Sequence, residues 1–388
     1  MGAGESGGVH GRSAGWVEVD LAAIRSNVAS LKAAAGSAEL MAVVKADAYG
    51  HGLVESAGAA RAAGAEWLGV AFLSEALALR GAGDTGRILA WLHPADTDFV
   101  PAVAAGVEGS VGAGEQLAGV VAAARQLGVT ASVHLKADTG LTRGGATVVE
   151  WPGLVAAAAD AAMSGHVEVT GIWSHLSHGE HPLHDTVDAQ RAAFLSASEV
   201  ASRAGFAGAK RHLANSGATL SRADLAFDIV RPGLAMYGIA PGEEAGPVAL
   251  TPAMSVLTSV AMVKQVAAGV GISYGHRYTT GESTRVALVP IGYADGLPRA
   301  ASNRGPLLVG RQRVTIAGSV CMDQVVVDLG PGSQVRVGDQ VVVLGPGANG
   351  EPTAAEWAVA CDTIAWEILT RFGTSLPRRF VNAEVQSQ

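Results

Sequence analysis

Cysteine is nearly missing from this chain, at two in 388 residues. Cys321 and Cys361 have no paired spacing, so neither a disulfide framework nor a zinc site is suggested, and a reducing cytoplasm is the expected compartment. Charge is scarce as well. Asp, Glu, Lys and Arg make up 16% of the chain against 49% apolar residues, well below the usual charged share, which points to a large buried volume. Basic residues are outnumbered, 27 to 35, for a net charge of −8, and no basic run occurs, so no nucleic-acid surface is expected. No apolar stretch reaches the ~18 residues that span a bilayer. No basic start followed by an apolar core marks a secretory signal, so no membrane partner is expected either. The G-x-x-x-x-G-K-S/T loop that cradles nucleotide phosphates is also absent.

What is present is alternation. A chain of this length exceeds what one hydrophobic core usually serves, and its texture changes once. Residues 1–15, rich in Gly and Ser, read as a flexible tail; their start, MGAGES, also matches the loose N-myristoylation pattern, but the tail is the simpler reading. From 16 to 248, short β-rich runs (LMAVVK, WLGVAF, RILAWLH, VEGSVG, SVHLKAD, TGIWSHL, KRHLAN, FDIVRPG) alternate with segments of helical period such as LAAIRSNVASLKAAA and EQLAGVVAAARQLG. Such alternation makes a parallel sheet, and eight strands in this length predict a (β/α)8 TIM-like barrel of the α/β class. From 249 to 388, Val-rich runs punctuated by Gly predict a C-terminal, mainly-β domain. One late helix is expected there, opened by the capping box Thr353 and Glu356 and running through WAVACDTIAWEIL.

In such a barrel the reactive groups sit at the carboxyl ends of the strands, and the scarce charges of this chain collect there. The stretch AVVKADAYGHG takes a buried strand abruptly into Lys45. Lys136 lies in the fifth strand with Asp138 and Arg143 just beyond, His175 ends the sixth, Asn215 and Ser216 the seventh, and Arg231 the eighth. Taken singly, each is more readily an exposed loop charge or a structural ion pair; together they converge on one rim. VRPGLAMYG adds the backbone amides of Gly233 and Leu234, and ANSG adds a hydroxyl at a helix start, where barrels commonly bind phosphate. A lysine facing a phosphate-binding edge suggests a Schiff base with pyridoxal phosphate, because burial and nearby cations free its lone pair. His175, His178, His181 and His184 in SHLSHGEHPLHD invite a metal, but no regular period holds them; they read as a polar loop and no metal is expected.

Seven separated stretches then resemble the alanine racemase family, in order across residues 17–380: AVVKADAYGHG, KADTGLTRGG, ANSGATL, VRPGLAMYG, GISYGHRY, PIGYADGLPR and CMDQVVVDLG. The resemblance implies pyridoxal 5'-phosphate as cofactor and racemisation of L- and D-alanine for peptidoglycan, by a cytoplasmic homodimer with shared active sites. It implies that Lys45 anchors the cofactor and serves one face of the substrate Cα, and that Tyr274, from the partner subunit, serves the other. Tyr49, Ser216, Gly233 and Leu234 would bind phosphate. Arg231 would face the pyridine nitrogen, supported by His175. Arg143, aligned by Lys136 (often carbamylated in the family), would contact the substrate carboxylate, and the amide of Met322, again from the partner, would contact the substrate. Two base positions suit inversion of a stereocentre, since the proton must arrive on the face opposite its removal. An arginine cannot lend its proton, so a pyridine nitrogen facing Arg231 stays unprotonated.

Trp366 stands where the family usually carries a tyrosine at the phosphate, Ser319 where an arginine of the entrance corridor is common, and SHGE follows His175 where an AD pair is usual. These departures bear on substrate range, so a serine or broader-range racemase is the alternative within the class. A related decarboxylase would place a carboxylate where Arg231 stands, and a lone-barrel pyridoxal phosphate carrier would leave the β domain unexplained.

Overall fold

The computed structural model describes residues 14–242 and 248–383; most of the tail, with the MGAGES start, lies outside them. Two compact units emerge. One holds Ala23–Ala48 and Leu53–Thr251; the other holds the described residues up to Ala22, Tyr49–Gly52 and those from Pro252 onward. The first strand, β1 (Trp16–Asp20), belongs to the second unit and not to the barrel expected from residue 16 onward. Its alternation of buried and half-buried positions fits one covered face, but its partners lie hundreds of residues away.

All eight runs picked out of the alternating region form one parallel sheet. Its strands are β2 (Glu39–Val43), β3 (Trp67–Val70), β4 (Arg87–Ala90), β5 (Glu108–Val111), β6 (Ala131–Lys136), β7 (Val167–Trp173), β8 (Lys210–His212) and β9 (Ile229–Val230). Neighbours follow chain order from β2 to β8, with β9 beside β2. Backbone bonds from Asp228 N to Arg211 O at 3.0 Å and from Arg231 N to Ala214 O at 2.9 Å draw β8 and β9 together and nearly close the barrel. Helices fill the crossovers: α1 (Leu21–Ala34), α2 (Leu53–Ala62), α3 (Leu73–Gly81), α4 (Val100–Ala104), α5 (Gly114–Leu127), α6 (Trp151–Met163), α7 (Asp185–Ala201) and the short α8 (Ser216–Ser221). Both faces of the strands are covered, which is why β3 and β5 are buried at every position. Met41, Trp67, Leu89 and Ile229 form a core cluster with Trp91 against it, each large side chain contributing about 1.5–3 kcal/mol by burial.

In the second unit β1 lies between β10 (Met254–Ser259), antiparallel, and β19 (Arg378–Val381), parallel. The intervening strands are β11 (Met262–Val266), β12 (Gly271–Ile272), β13 (Tyr278–Thr279), β14 (Thr284–Val289), β15 (Pro306–Val309), β16 (Gln312–Thr315), β17 (Val325–Gly330) and β18 (Gln340–Leu344). They make a six-stranded sheet in the order β16-β15-β18-β10-β1-β19, a three-stranded sheet β11-β14-β17 and the pair β12-β13. The expected late helix is two: α9 (Ala354–Cys361) and α10 (Ala365–Ser375). Thr353 and Glu356 do form the capping box, but Asp362 adopts φ 55 and ends α9. Asp tolerates that left-handed conformation, so the break needs no glycine to announce it.

Candidate active site

The two rims of the barrel treat charge differently. At the strand starts charges are paired: Lys210 with Glu39 at 2.7 Å, Arg87 with Glu108 at 2.7 Å and Arg211 with Asp228 at 3.5 Å. At the strand ends stand Lys45, Lys136, Arg143 and Arg231, and among the described residues none is in an ion pair with a carboxylate. Burial and Arg143 lower the Lys45 pKa, with Glu75 opposing. Lys136 is lowered to about 8, by burial first and then by Arg143 and Arg231. Such a rim suits an anionic ligand that supplies the missing negative charge.

Lys45 follows β2 by two residues, and the next turn of chain is left-handed. Ala46, Asp47, Ala48 and Tyr49 have φ of 52, 53, 55 and 55°, a conformation that costs L-residues roughly 1–2 kcal/mol each. Carboxylates hold it. Glu75 accepts from Ala46 N at 2.7 Å and from Ala71 N and Phe72 N, and Asp47 accepts from Leu53 N at 2.7 Å. The Tyr237 hydroxyl donates to Val43 O at 3.0 Å, tying down the end of β2. The Lys45 ammonium stands 5.9 Å from the Trp91 ring centre, and that of Lys136 4.5 Å from Trp173.

Arg231 is buried, and burial lowers it to about 9. Its Nη2 donates to Ser174 O at 2.8 Å and Leu213 O at 3.2 Å and faces His175 Nδ1 at 3.2 Å; its Nη1 faces His212 Nδ1 at 3.2 Å. A guanidinium only donates, so both imidazole Nδ1 atoms accept. His175 is then neutral with its proton on Nε2, in keeping with a pKa driven well down by burial, Arg231 and Arg143. These bonds leave Nε–H and one Nη1 hydrogen of Arg231 without an acceptor among the described residues.

The loops after β8 and β9 are joined by one hydroxyl. Ser216 Oγ accepts from Gly233 N at 2.9 Å and Ala235 N at 3.3 Å, which leaves its own hydrogen to donate outward. Asn215 caps α8 through Ala218 N, and a methyl group at Gly217 would fall on the carbonyl oxygen of Gly179. Leu234 opens a 3-10 turn, so its amide has no acceptor within the turn. Donors with hydrogens to spare and no carboxylate bonded to them are the donor set that a phosphate and a pyridine nitrogen require. The residues present fit pyridoxal phosphate.

Of the sequence-predicted residues, Lys45, Lys136, Arg143, His175 and Arg231 share one electrostatic neighbourhood, and Ser216, Gly233 and Leu234 one hydrogen-bonded corner. Tyr49, Tyr274 and Met322 belong to the second unit. Tyr274 is 76% exposed and Met322 53%. The two loops are joined: Ser273 Oγ donates to Ser319 O at 2.8 Å, and Ser319 Oγ donates to Tyr274 O at 2.9 Å. Ser319, a departure in the sequence, thus braces the Tyr274 turn. Trp366 is half-buried in the first turn of α10. In the histidine loop, His178 and His184 stack at 4.0 Å, and no metal-sized cluster of His, Cys, Asp or Glu occurs among the described residues. Glu75, Trp91 and Trp173 were not foreseen; only the aromatic residues, rare in this chain and set at strand ends, carried a signal for them.

The chain matches the family models for the alanine racemase N-terminal domain over residues 19–241 and C-terminal domain over 253–380. An alanine racemase of Frankia casuarinae is 52% identical over 94% of this chain and 95% of its own, and one of Salinispora arenicola is 52% identical over 94% and 97%. Among solved structures, the alanine racemase of D-cycloserine-producing Streptomyces lavendulae aligns with TM-score 0.93 at 47% identity, covering 96% of this chain and 98% of that one. That of Streptomyces coelicolor aligns with TM-score 0.91 at 49% identity, covering 95% and 98%.

Proposed function

This chain belongs to the alanine racemase family, and from that premise we propose that it interconverts L- and D-alanine using pyridoxal 5'-phosphate held on Lys45. The observation that carries the cofactor assignment is the strand-end rim: a half-buried, pKa-lowered lysine among cations that form no ion pair with a carboxylate among the described residues, beside donors with hydrogens to spare. When bound, the cofactor supplies the electron sink that acidifies the substrate Cα–H.

The chain's own residues do the rest. Lys45, its pKa lowered by burial and Arg143, anchors the cofactor and moves a proton on one face of Cα. Ser216, Gly233, Leu234 and Tyr49 hold the phosphate. Arg231, oriented by His175 and His212, offers a hydrogen bond to the ring nitrogen without giving up its proton. Arg143, aligned by Lys136, takes the substrate carboxylate. Tyr274, exposed and braced by Ser319, is presented by a second copy of the chain to the opposite face, with the Met322 amide beside the substrate. The site is then shared across a homodimer. No helix among the described residues is long and apolar enough to cross a membrane, and the reading places the enzyme in the cytoplasm, supplying D-alanine for peptidoglycan.

Purified protein incubated with L-alanine or L-serine, followed by chiral chromatography, tests this. We expect alanine to racemise and serine to follow well behind, because the Trp366 indole brings bulk where a phenol is usual. Faster serine turnover would favour the serine or broader-range alternative, and no racemisation of either would end the reading.

A further inference from the structure

A line of polar groups crosses the barrel interior from the strand starts to the strand ends. Glu108, first residue of β5, receives Arg87 Nε at 2.7 Å and Nη2 at 3.0 Å, Thr170 Oγ1 at 2.6 Å and His134 Nε2 at 3.1 Å. His134 Nδ1 lies 2.8 Å from His212 Nε2, and His212 Nδ1 lies 3.2 Å from Arg231 Nη1. Both rings are completely buried, Trp67 edging His134 and Trp173 stacking on His212.

The two ends leave one arrangement of protons. A carboxylate only accepts and a guanidinium only donates. His134 therefore carries its proton on Nε2, toward Glu108, and its Nδ1 accepts from His212 Nε2–H. His212 Nδ1 then accepts from Arg231. Protonating either ring would set N–H against N–H somewhere along the line. Burial disfavours the imidazolium in both rings, and the Glu108 pKa is lowered to about 2 because hydrogen bonds from His134 and Arg87 outweigh its burial. Every N–H thus points away from Arg231, and the lone-pair end of the line faces its charge.

The strands depart from regular geometry to build this line. Val133 pairs with Val169 but His134 with Gly171, so Thr170 is the extra residue of a β-bulge, and its hydroxyl goes to Glu108. Bulges re-aim side chains in this way. At Gly171 a methyl group would fall on the His134 ring. Neither feature is needed to close a barrel.

We propose that Glu108 and His134, remote from the reacting atoms, are positioning residues for the racemase reaction. Through His212 they hold Arg231 charged and oriented, with Nε–H and the second Nη1 hydrogen left for the ring nitrogen of the cofactor. The inference rests on the pyridoxal phosphate reading above, and its test separates the two.

Histidine tautomers read by 15N NMR, on protein with and without bound pyridoxal phosphate, give a readout independent of turnover. His134 and His212 should both be neutral Nε2–H tautomers and stay so from pH 6 to pH 9. Either ring found as Nδ1–H or as imidazolium overturns the proposal, whether or not the enzyme racemises alanine. Native protein with these tautomers but no racemase activity overturns the functional reading instead. Glu108→Gln presents an amide N–H2 to a site of four donors, so His134 should lose its single tautomer. The kcat for alanine should fall on the order of tenfold, the loss of one charge-assisted bond, with KM within about twofold because substrate contacts are untouched. Gly171→Ala displaces the same ring without altering a charge and should lower kcat in the same way; it also serves if Glu108→Gln does not fold. Unchanged kcat in the folded variants overturns the proposal.

Discussion

Lys136 shows in one side chain what the strand-end rim does with charge. Burial, Arg143 and Arg231 bring its pKa from 10.5 to about 8, so the folded protein holds this proton less tightly than the unfolded chain does. Stability therefore rises with pH between about 8 and 10.5, and the cost of the charge is fully present below pH 8. Lys136→Gln is expected to stabilise the cofactor-free protein at pH 7 by about 1–3 kcal/mol in urea unfolding, with the difference gone by pH 10.5. No gain at pH 7 would mean that the nitrogen does not carry a buried charge there, as a carbamate would not. The charged residues of this rim were legible because so few others compete for notice. Glu108 and His134 were not: a histidine inside an apolar strand reads as a satisfied core residue, and its two partners lie 26 and 78 positions away.

Among elements, the eight barrel strands were readable because a strand buried on both faces is a continuous apolar run bounded by turn residues. The left-handed turn after Lys45 was not, since nothing in KADAY favours a left-handed backbone and the turn is held by bonds accepted by Glu75 and Asp47. Its strain gives a test with an unusual sign. Ala46 is exposed, so substitutions there change backbone preference and little else. Ala46→Val should destabilise by more than about 1 kcal/mol, β-branched residues being least tolerant of positive φ. Ala46→Gly should be neutral or stabilising by up to about 1 kcal/mol, where an ordinary helix would lose that amount. Thermal unfolding of the two variants decides it; the opposite order would deny the turn its handedness. In the second unit, Ser319→Ala removes the hydroxyl that braces the Tyr274 turn. It should cost about 1 kcal/mol of stability and lower kcat more than it raises KM, which steady-state kinetics would show.

For the whole molecule, sharing of sites is the claim most open to test. Lys45→Ala and Tyr274→Phe chains, each inactive alone, should recover about a quarter of native activity when unfolded and refolded together, since one site in four regains both groups. Recovery of none, with heterodimers verified by mass spectrometry, would place both bases in one subunit. The division of the chain was legible from its change of texture, but the membership of β1 was not, because a strand's alternation names no partner. That membership sets an order of events during synthesis. β1 leaves the ribosome well before the strands on either side of it, β10 and β19, which begin at Met254 and Arg378. At ~5–20 residues per second, β1 waits tens of seconds with both hydrogen-bonding edges open while the barrel is made and can close. The nascent chain thus carries a sticky leading strand past a folding neighbour, and a carboxyl-terminal fragment made alone would lack an inner strand of its sheet and invite foreign strands into the gap.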